Sequence, residues 1–151
     1  MIPKSKWRQF GHPGNKVKGI IIHNTNNQGM TAKSLEKWLK SECRTSQGCH
    51  YLVDADEIRK VMPLSWSVYN VGNGLAFGNT DCIAIEICSH PSNRKYMEAE
   101  DKAVELIREL MAKHDLKKTD IYFHRDFEPN INCPAQVLKI YGNKQNFLKR
   151  I

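Results

Sequence analysis

The sequence predicts an α/β domain, a central mixed sheet of about five strands flanked by helices. Two apolar runs, Ile20–Ile22 and Cys82–Cys88, are rich in β-branched residues and bounded by loop signals, as buried strands are. Glu98–His114 places Ala103, Leu106, Ile107, Leu110 and Met111 on one helical face. At 151 residues and 40% hydrophobic content, the chain suits one compact domain over 1–151.

Taken in order, Pro3 to Asn15 reads as a loop, with Gly11, Pro13 and Gly14 as breakers. Val17 to His23 is the first strand, and Asn24 to Gly29 is turn-forming. Thr31 can cap a helix whose Leu35, Trp38 and Leu39 share one apolar face through about Cys43, so Trp38 is expected in the core. Residues 44–48 form a loop. Cys49–Val53 and Ile58–Met62 then pair about a turn at Asp54–Glu57. The aperiodic stretch 63–81 reads as a long surface loop, in which Trp66, Tyr69 and Phe77 are candidates for groove contacts. After the Cys82–Cys88 strand and the Glu98–His114 helix come a short strand, Asp120–His124, and a helix from Pro134 to about Tyr141. A last short helix lies around Gln145–Lys149.

A net charge of +7 predicts attraction to polyanions. The basic residues are scattered, however, and no aromatic-basic motif of the usual nucleic-acid modules appears, so no specific nucleic-acid partner is expected. No apolar run approaches the roughly 20 residues needed to cross a bilayer, so membrane insertion is not expected. The basic start, Met1 to Lys6, is followed by no apolar stretch and does not read as a secretory signal. Five cysteines cannot all pair within the chain, and no C-x-x-C occurs, which favours a reducing compartment over a zinc ribbon. Cys82 and Cys88 read as small buried residues.

Three metal donors fall at or near strand ends. His23 closes the first strand, His124 closes the last, and Cys133 follows His124 after eight residues, just before Pro134. Imidazole and thiolate both suit zinc, and a catalytic zinc site takes three protein ligands and leaves one position open. A lone histidine at the end of a strand is more often an ordinary polar residue than a ligand. Glu86 lies among Ile83, Ala84, Ile85 and Ile87, where a carboxylate is costly unless it has a partner or a task. Burial would raise its pKa toward neutrality, where it can accept a proton from water; a salt-bridged Glu on the open face of the sheet is the alternative.

Ile20-Ile21-Ile22-His23-Asn24-Thr25 resembles the first metal motif of the N-acetylmuramoyl-L-alanine amidase family that includes T7 lysozyme and many phage endolysins. Gly48–Asp54 is similar to that family's second strand, Tyr69–Gly74 to its active-site loop and Ile83–Cys88 to the strand carrying its catalytic Glu. His124-Arg125-Asp126 and Asn132-Cys133-Pro134 are similar to its last two metal motifs, so the resemblance runs in order from about Val17 to Tyr141. It implies the T7 lysozyme-like amidase fold, which peptidoglycan recognition proteins share. His23, His124 and Cys133 would hold one Zn²⁺. Glu86 would be the general base, and the substrate would be the amide between N-acetylmuramic acid and L-alanine in peptidoglycan. A thiolate ligand makes the metal less electrophilic than a carboxylate would. The resemblance further implies an endolysin or autolysin made in the cytoplasm and acting at the cell wall after release, with anionic wall polymers as further partners for its positive charge.

The sequence departs from the family at three places. Ile131 stands where many relatives carry a Lys two residues before the third ligand, Cys49 where a Tyr precedes the second-strand His, and Tyr69-Asn70 where Trp-His is frequent. The oxyanion stabiliser is therefore open among His50, Asn70 and zinc alone, with His50 equally readable as a sheet residue bonded to the backbone. Tyr69 is the aromatic favoured for contact with substrate. A module that binds peptidoglycan without cutting it is the competing reading, and the complete donor set with Glu86 favours the enzyme.

Overall fold

The computed structural model describes residues 1–41, 44–72 and 74–151. The chain opens with a 3-10 turn, Lys4–Lys6, that runs into a short helix α1, Trp7–Phe10. This segment was expected to be loop; it is ordered because Ile2 and Phe10 are buried and Ile2 N–H bonds to Val61 O at 2.9 Å. Strand β1, Gly19–Asn24, is followed by helix α2, Ala32–Ser41. Thr31 Oγ1 accepts from Ser34 N–H at 3.1 Å, the capping bond expected of it. The predicted end of α2 at Cys43 lies outside the described residues.

The hairpin strands β2, Tyr51–Val53, and β3, Ile58–Lys60, turn about Asp54, whose Oδ1 accepts from Asp56 and Glu57 N–H. The stretch expected to be a plain surface loop contains helix α3, Phe77–Thr80. It is held by buried Asn79, whose Oδ1 accepts from the Asn70 and Val71 amides at 2.7 and 2.9 Å. Strand β4 is Cys82–Ile87. Helix α4, Asn93–His114, starts five residues before the expected Glu98, because Tyr96 extends the buried stripe of Ala99 and Ala103 by another turn. Strand β5, Ile121–Phe123, passes into a 3-10 turn at His124–Asp126, and helices α5, Ala135–Tyr141, and α6, Lys144–Leu148, complete the chain.

The sheet order is β3-β2-β4-β1-β5. β2, β4, β1 and β5 run parallel, and β3 is the antiparallel edge, so the sheet is five-stranded and mixed as predicted. Register assigns the two faces. Ile22, Ile85 and Phe123 align on one face, where the main core forms against α4 with Tyr96, Ala103, Ile107 and Leu110. One residue further along, Leu52, Glu86 and His23 align on the opposite face, which α2 and the N-terminal segment cover only in part. The alternation of a strand's side chains thus sends the polar row away from the main core. Among the described residues, no helix is long and apolar enough to cross a membrane.

Candidate metal centre and cleft

His23, His124 and Cys133 each present one donor atom, and these atoms lie within 4.8 Å of one another. Cys133 Sγ is 3.7 Å from His23 Nδ1, and the two imidazole rings meet edge to face with centroids 4.8 Å apart. Each donor comes from a different piece of backbone. His23 is fixed by β1, and His124 begins the turn after β5. Cys133 is drawn in by Asn24, which sequence reasoning missed. Buried Asn24 accepts at Oδ1 from the Gln136 and Val137 amides, at 2.9 and 3.1 Å, capping α5 from across the fold. Its Nδ2 donates to Ile87 O and Tyr96 Oη, so one carboxamide ties β1 to β4, α4 and the start of α5.

Each histidine is held at its far nitrogen. His23 Nε2 donates to Asn70 Oδ1 at 2.9 Å, and His124 Nε2 donates to Glu128 Oε2 at 2.7 Å. A metal-binding histidine needs such an acceptor to set its tautomer and leave the other nitrogen as a lone pair. Burial first, and then the neighbouring His124, push the His23 pKa down to about 3, so the ring is neutral. Burial first, and then Glu86, push the Cys133 thiol up to about 12. A cation bound at the sulfur would displace that proton to solvent and hold the group as thiolate. Two imidazoles, a sulfur and two oriented outer acceptors fit a metal ion by the chemistry of the donors.

Glu86 adjoins His23 across the β1–β4 register. Its Oε2 is sealed from solvent and has no hydrogen-bond partner, and burial raises its pKa to about 7. The salt-bridged alternative therefore falls away, since no cation pairs with this carboxylate among the described residues.

The other expected site residues are placed differently. His50 is fully buried and both ring nitrogens are engaged, Nδ1 accepting from Ala84 N–H at 2.9 Å and Nε2 donating to Trp66 O at 2.8 Å. Burial lowers its pKa to about 4, and it stitches β2 to β4 as a neutral sheet residue. Asn70 lines the cleft, but its Oδ1 holds His23 while its Nδ2 donates to Val68 O and Gly78 O, both at 2.9 Å. Neither has a free donor for an oxyanion. Tyr69 is half-buried with its ring 6.1 Å from that of His12, and it does not line the cleft. Trp66 packs edge to face on Trp7, and Phe77 on Tyr122. Trp38, expected in the core, is 37% exposed and lines the cleft instead. The helical face was read correctly, but α2 borders a groove there rather than another element. Glu128 was also missed. Its Oε2 accepts from Gly72 N–H at 2.6 Å as well as from His124, coupling that histidine to the loop that carries Asn70. Its i, i+4 spacing from His124 was the available signal.

The cleft has a volume of about 640 Å³ and runs between the loop after β1, α2, residues 45–49 and residues 130–133. Its floor is the polar row of the sheet. A mixed α/β sheet with three donors able to hold a metal ion and an unpaired carboxylate near the carboxyl ends of its parallel strands has the makings of a metallohydrolase site.

Comparison with known proteins gives the family. Residues 13–136 match the family described as N-acetylmuramoyl-L-alanine amidase, and the chain belongs to it. It is 31% identical over 126 residues to the N-acetylmuramoyl-L-alanine amidase XlyA of Bacillus subtilis, covering 82% of this chain and 41% of that one. It is 27% identical over 161 residues to the amidase CwlL of Bacillus licheniformis, covering 97% of this chain and 44% of that one. The chain thus spans less than half the length of these relatives. The catalytic domain of XlyA superposes with a TM-score of 0.85 at 26% identity, covering 98% of this chain and 95% of that domain. The structure of PlyL superposes at 0.89 with 24% identity, covering 99% and 92%, and carries the fold alone.

Proposed function

We infer that the chain is a zinc-dependent amidase that hydrolyses the bond between N-acetylmuramic acid and the L-alanine of the stem peptide, acting at the cell wall as an endolysin or autolysin. The observation that carries this is the convergence of His23, His124 and Cys133 donors within 4.8 Å on a fold whose named relatives are amidases, with the unpaired Glu86 on the adjacent strand. Two imidazoles and a thiolate suit Zn²⁺. When bound, the ion would supply Lewis acidity at the scissile carbonyl and is the one oxyanion stabiliser left of the three considered, His50 and Asn70 being committed elsewhere.

The chain's own residues do the rest. Glu86, with a pKa near 7, is poised to take a proton from the attacking water as its oxygen bonds to the lactyl carbonyl carbon. The same proton then passes to the nitrogen of L-alanine as the C–N bond breaks, giving a free carboxylate on the sugar and a free amine on the peptide. Asn70 and Glu128 hold the two imidazoles so that neither turns away from the centre. The net charge of +7 would favour retention on anionic wall polymers.

The test is incubation of purified cell walls with the protein, with and without a chelator. New L-alanine amino groups should appear, should vanish with chelation and should return with added zinc. Wall binding without release of amino groups in the zinc-loaded protein would refute the enzyme and favour a recognition module.

A further inference from the structure

Although the sequence carries 23 Lys and Arg, none is among the described residues that line the cleft, and neither is any Asp. Arg44, at the head of the loop that supplies Thr45 and Gln47, is not one of them. The ionisable lining groups are the three metal donors, Glu86 and Cys49. What surrounds them is carboxamide. Asn26 and Asn27 come from the loop after β1, Gln47 from the loop after α2, and Asn130 and Asn132 from the segment before Cys133. All five side chains are exposed and none has a hydrogen-bond partner among the described residues, unlike Asn24 and Asn70 on the floor. Trp38 and Ile131 add apolar surface at 37% and 40% exposure.

A carboxamide offers two donors and an acceptor and pairs with peptide groups, acetamido groups and other carboxamides. A ligand carboxylate is an acceptor only and is held best by guanidinium or ammonium groups. Entering this cleft, it would lose water and find no Lys or Arg side chain among the described lining residues to receive it. Resting on the amidase reading, we propose that the cleft selects stem peptides whose carboxyl groups are amidated, with isoglutamine in place of glutamate at the second residue.

The experiment compares two synthetic muramoyl peptides that differ only in glutamate against isoglutamine at the second position. Cleavage is followed as kcat/KM on the zinc-loaded protein at 0.15 M salt, and binding is followed by calorimetry on zinc-loaded Glu86→Gln protein. The amidated peptide should lead by about tenfold or more in both, the discrimination expected from one uncompensated polar group. Ile131→Lys, an exposed change that places an ammonium on the cleft wall, should narrow or invert the ratio. Equal treatment of the two peptides, a preference for the acid, no binding of either, or no response to Ile131→Lys would each overturn the proposal. A clear binding preference without cleavage of either peptide would sink the amidase reading and leave the selectivity standing.

Discussion

Replacing Glu86 with Gln should separate what this carboxylate does for chemistry from what it costs the fold. In the metal-free protein its Oε2 is sealed and unpartnered, and burial lifts its pKa from 4.5 to about 7. A raised carboxyl pKa means that between these two values the folded state keeps its proton while the unfolded chain has lost it. The folded state binds more protons in that window, so stability falls as pH rises from about 4.5 to about 7 and levels off above it. At about 1.4 kcal/mol per pH unit, the gap amounts to about 3 kcal/mol.

Glu86→Gln carries no such charge. Relative to the parent protein, its stability should therefore improve by about 3 kcal/mol between pH 4.5 and pH 8, which at this chain length is roughly 10 °C in melting temperature. Taking the difference between the two pH values cancels any cost of an unpaired amide in the variant. Thermal melts with chelator present at both pH values supply the measurement. Wall hydrolysis by the zinc-loaded variant should fall by about 10²- to 10⁴-fold, the range for loss of a general base. A stability difference that does not change with pH would show that Glu86 is solvated or paired, and near-parental hydrolysis would show that another group moves the proton.

Removing the acceptor behind His124, by Glu128→Ala, should weaken zinc binding by about 10- to 100-fold in chelator competition, with partial rescue by Gln, whose oxygen can still accept; unaltered affinity would mean the contact positions nothing. Glu36 is buried, and burial alone would raise its pKa, but hydrogen bonds from the N-terminal ammonium, Lys40 and Arg59 outweigh it and hold the pKa at about 2. A depressed carboxyl pKa stabilises the fold above about 4.5 and loses that effect as pH falls toward 2. Glu36→Gln should then cost on the order of 2 kcal/mol at pH 7, after allowing for screening of its partly exposed partners, and almost nothing at pH 2 in denaturant titrations. Gly11→Ala would set a methyl 1.8 Å from the Ser67 carbonyl oxygen. Because that neighbour is backbone, the N-terminal segment must move, and a loss of about 1–3 kcal/mol should appear in the same titrations.

The parts of this protein legible in its sequence are those set by short-range periodicity or by the chemistry of a side chain. The run Ile20–Ile22 reads as a buried strand, and the apolar residues of Glu98–His114 share one face, as the structure bears out. The donor types at His23, His124 and Cys133 were legible too, because few side chains bind a transition metal. What escaped was decided by partners distant in the chain. Asn24 sits in a turn-forming stretch by composition, yet it is bonded to backbone 112 and 113 residues away, and nothing local marks it as the group that seats α5. His50 and Asn70 carry donors that could have served an oxyanion, and only the fold shows those donors already engaged by Trp66, Val68 and Gly78. Trp38 lies on the stripe that periodicity marks as buried, and periodicity cannot tell a face that meets another element from one that borders a cleft. The polar groups at the centre therefore divide by availability rather than by type. Those whose hydrogen bonds close on the protein hold the three donor side chains in place. Those left open, Glu86 on the floor and the carboxamides of the rim, are the ones a substrate would meet.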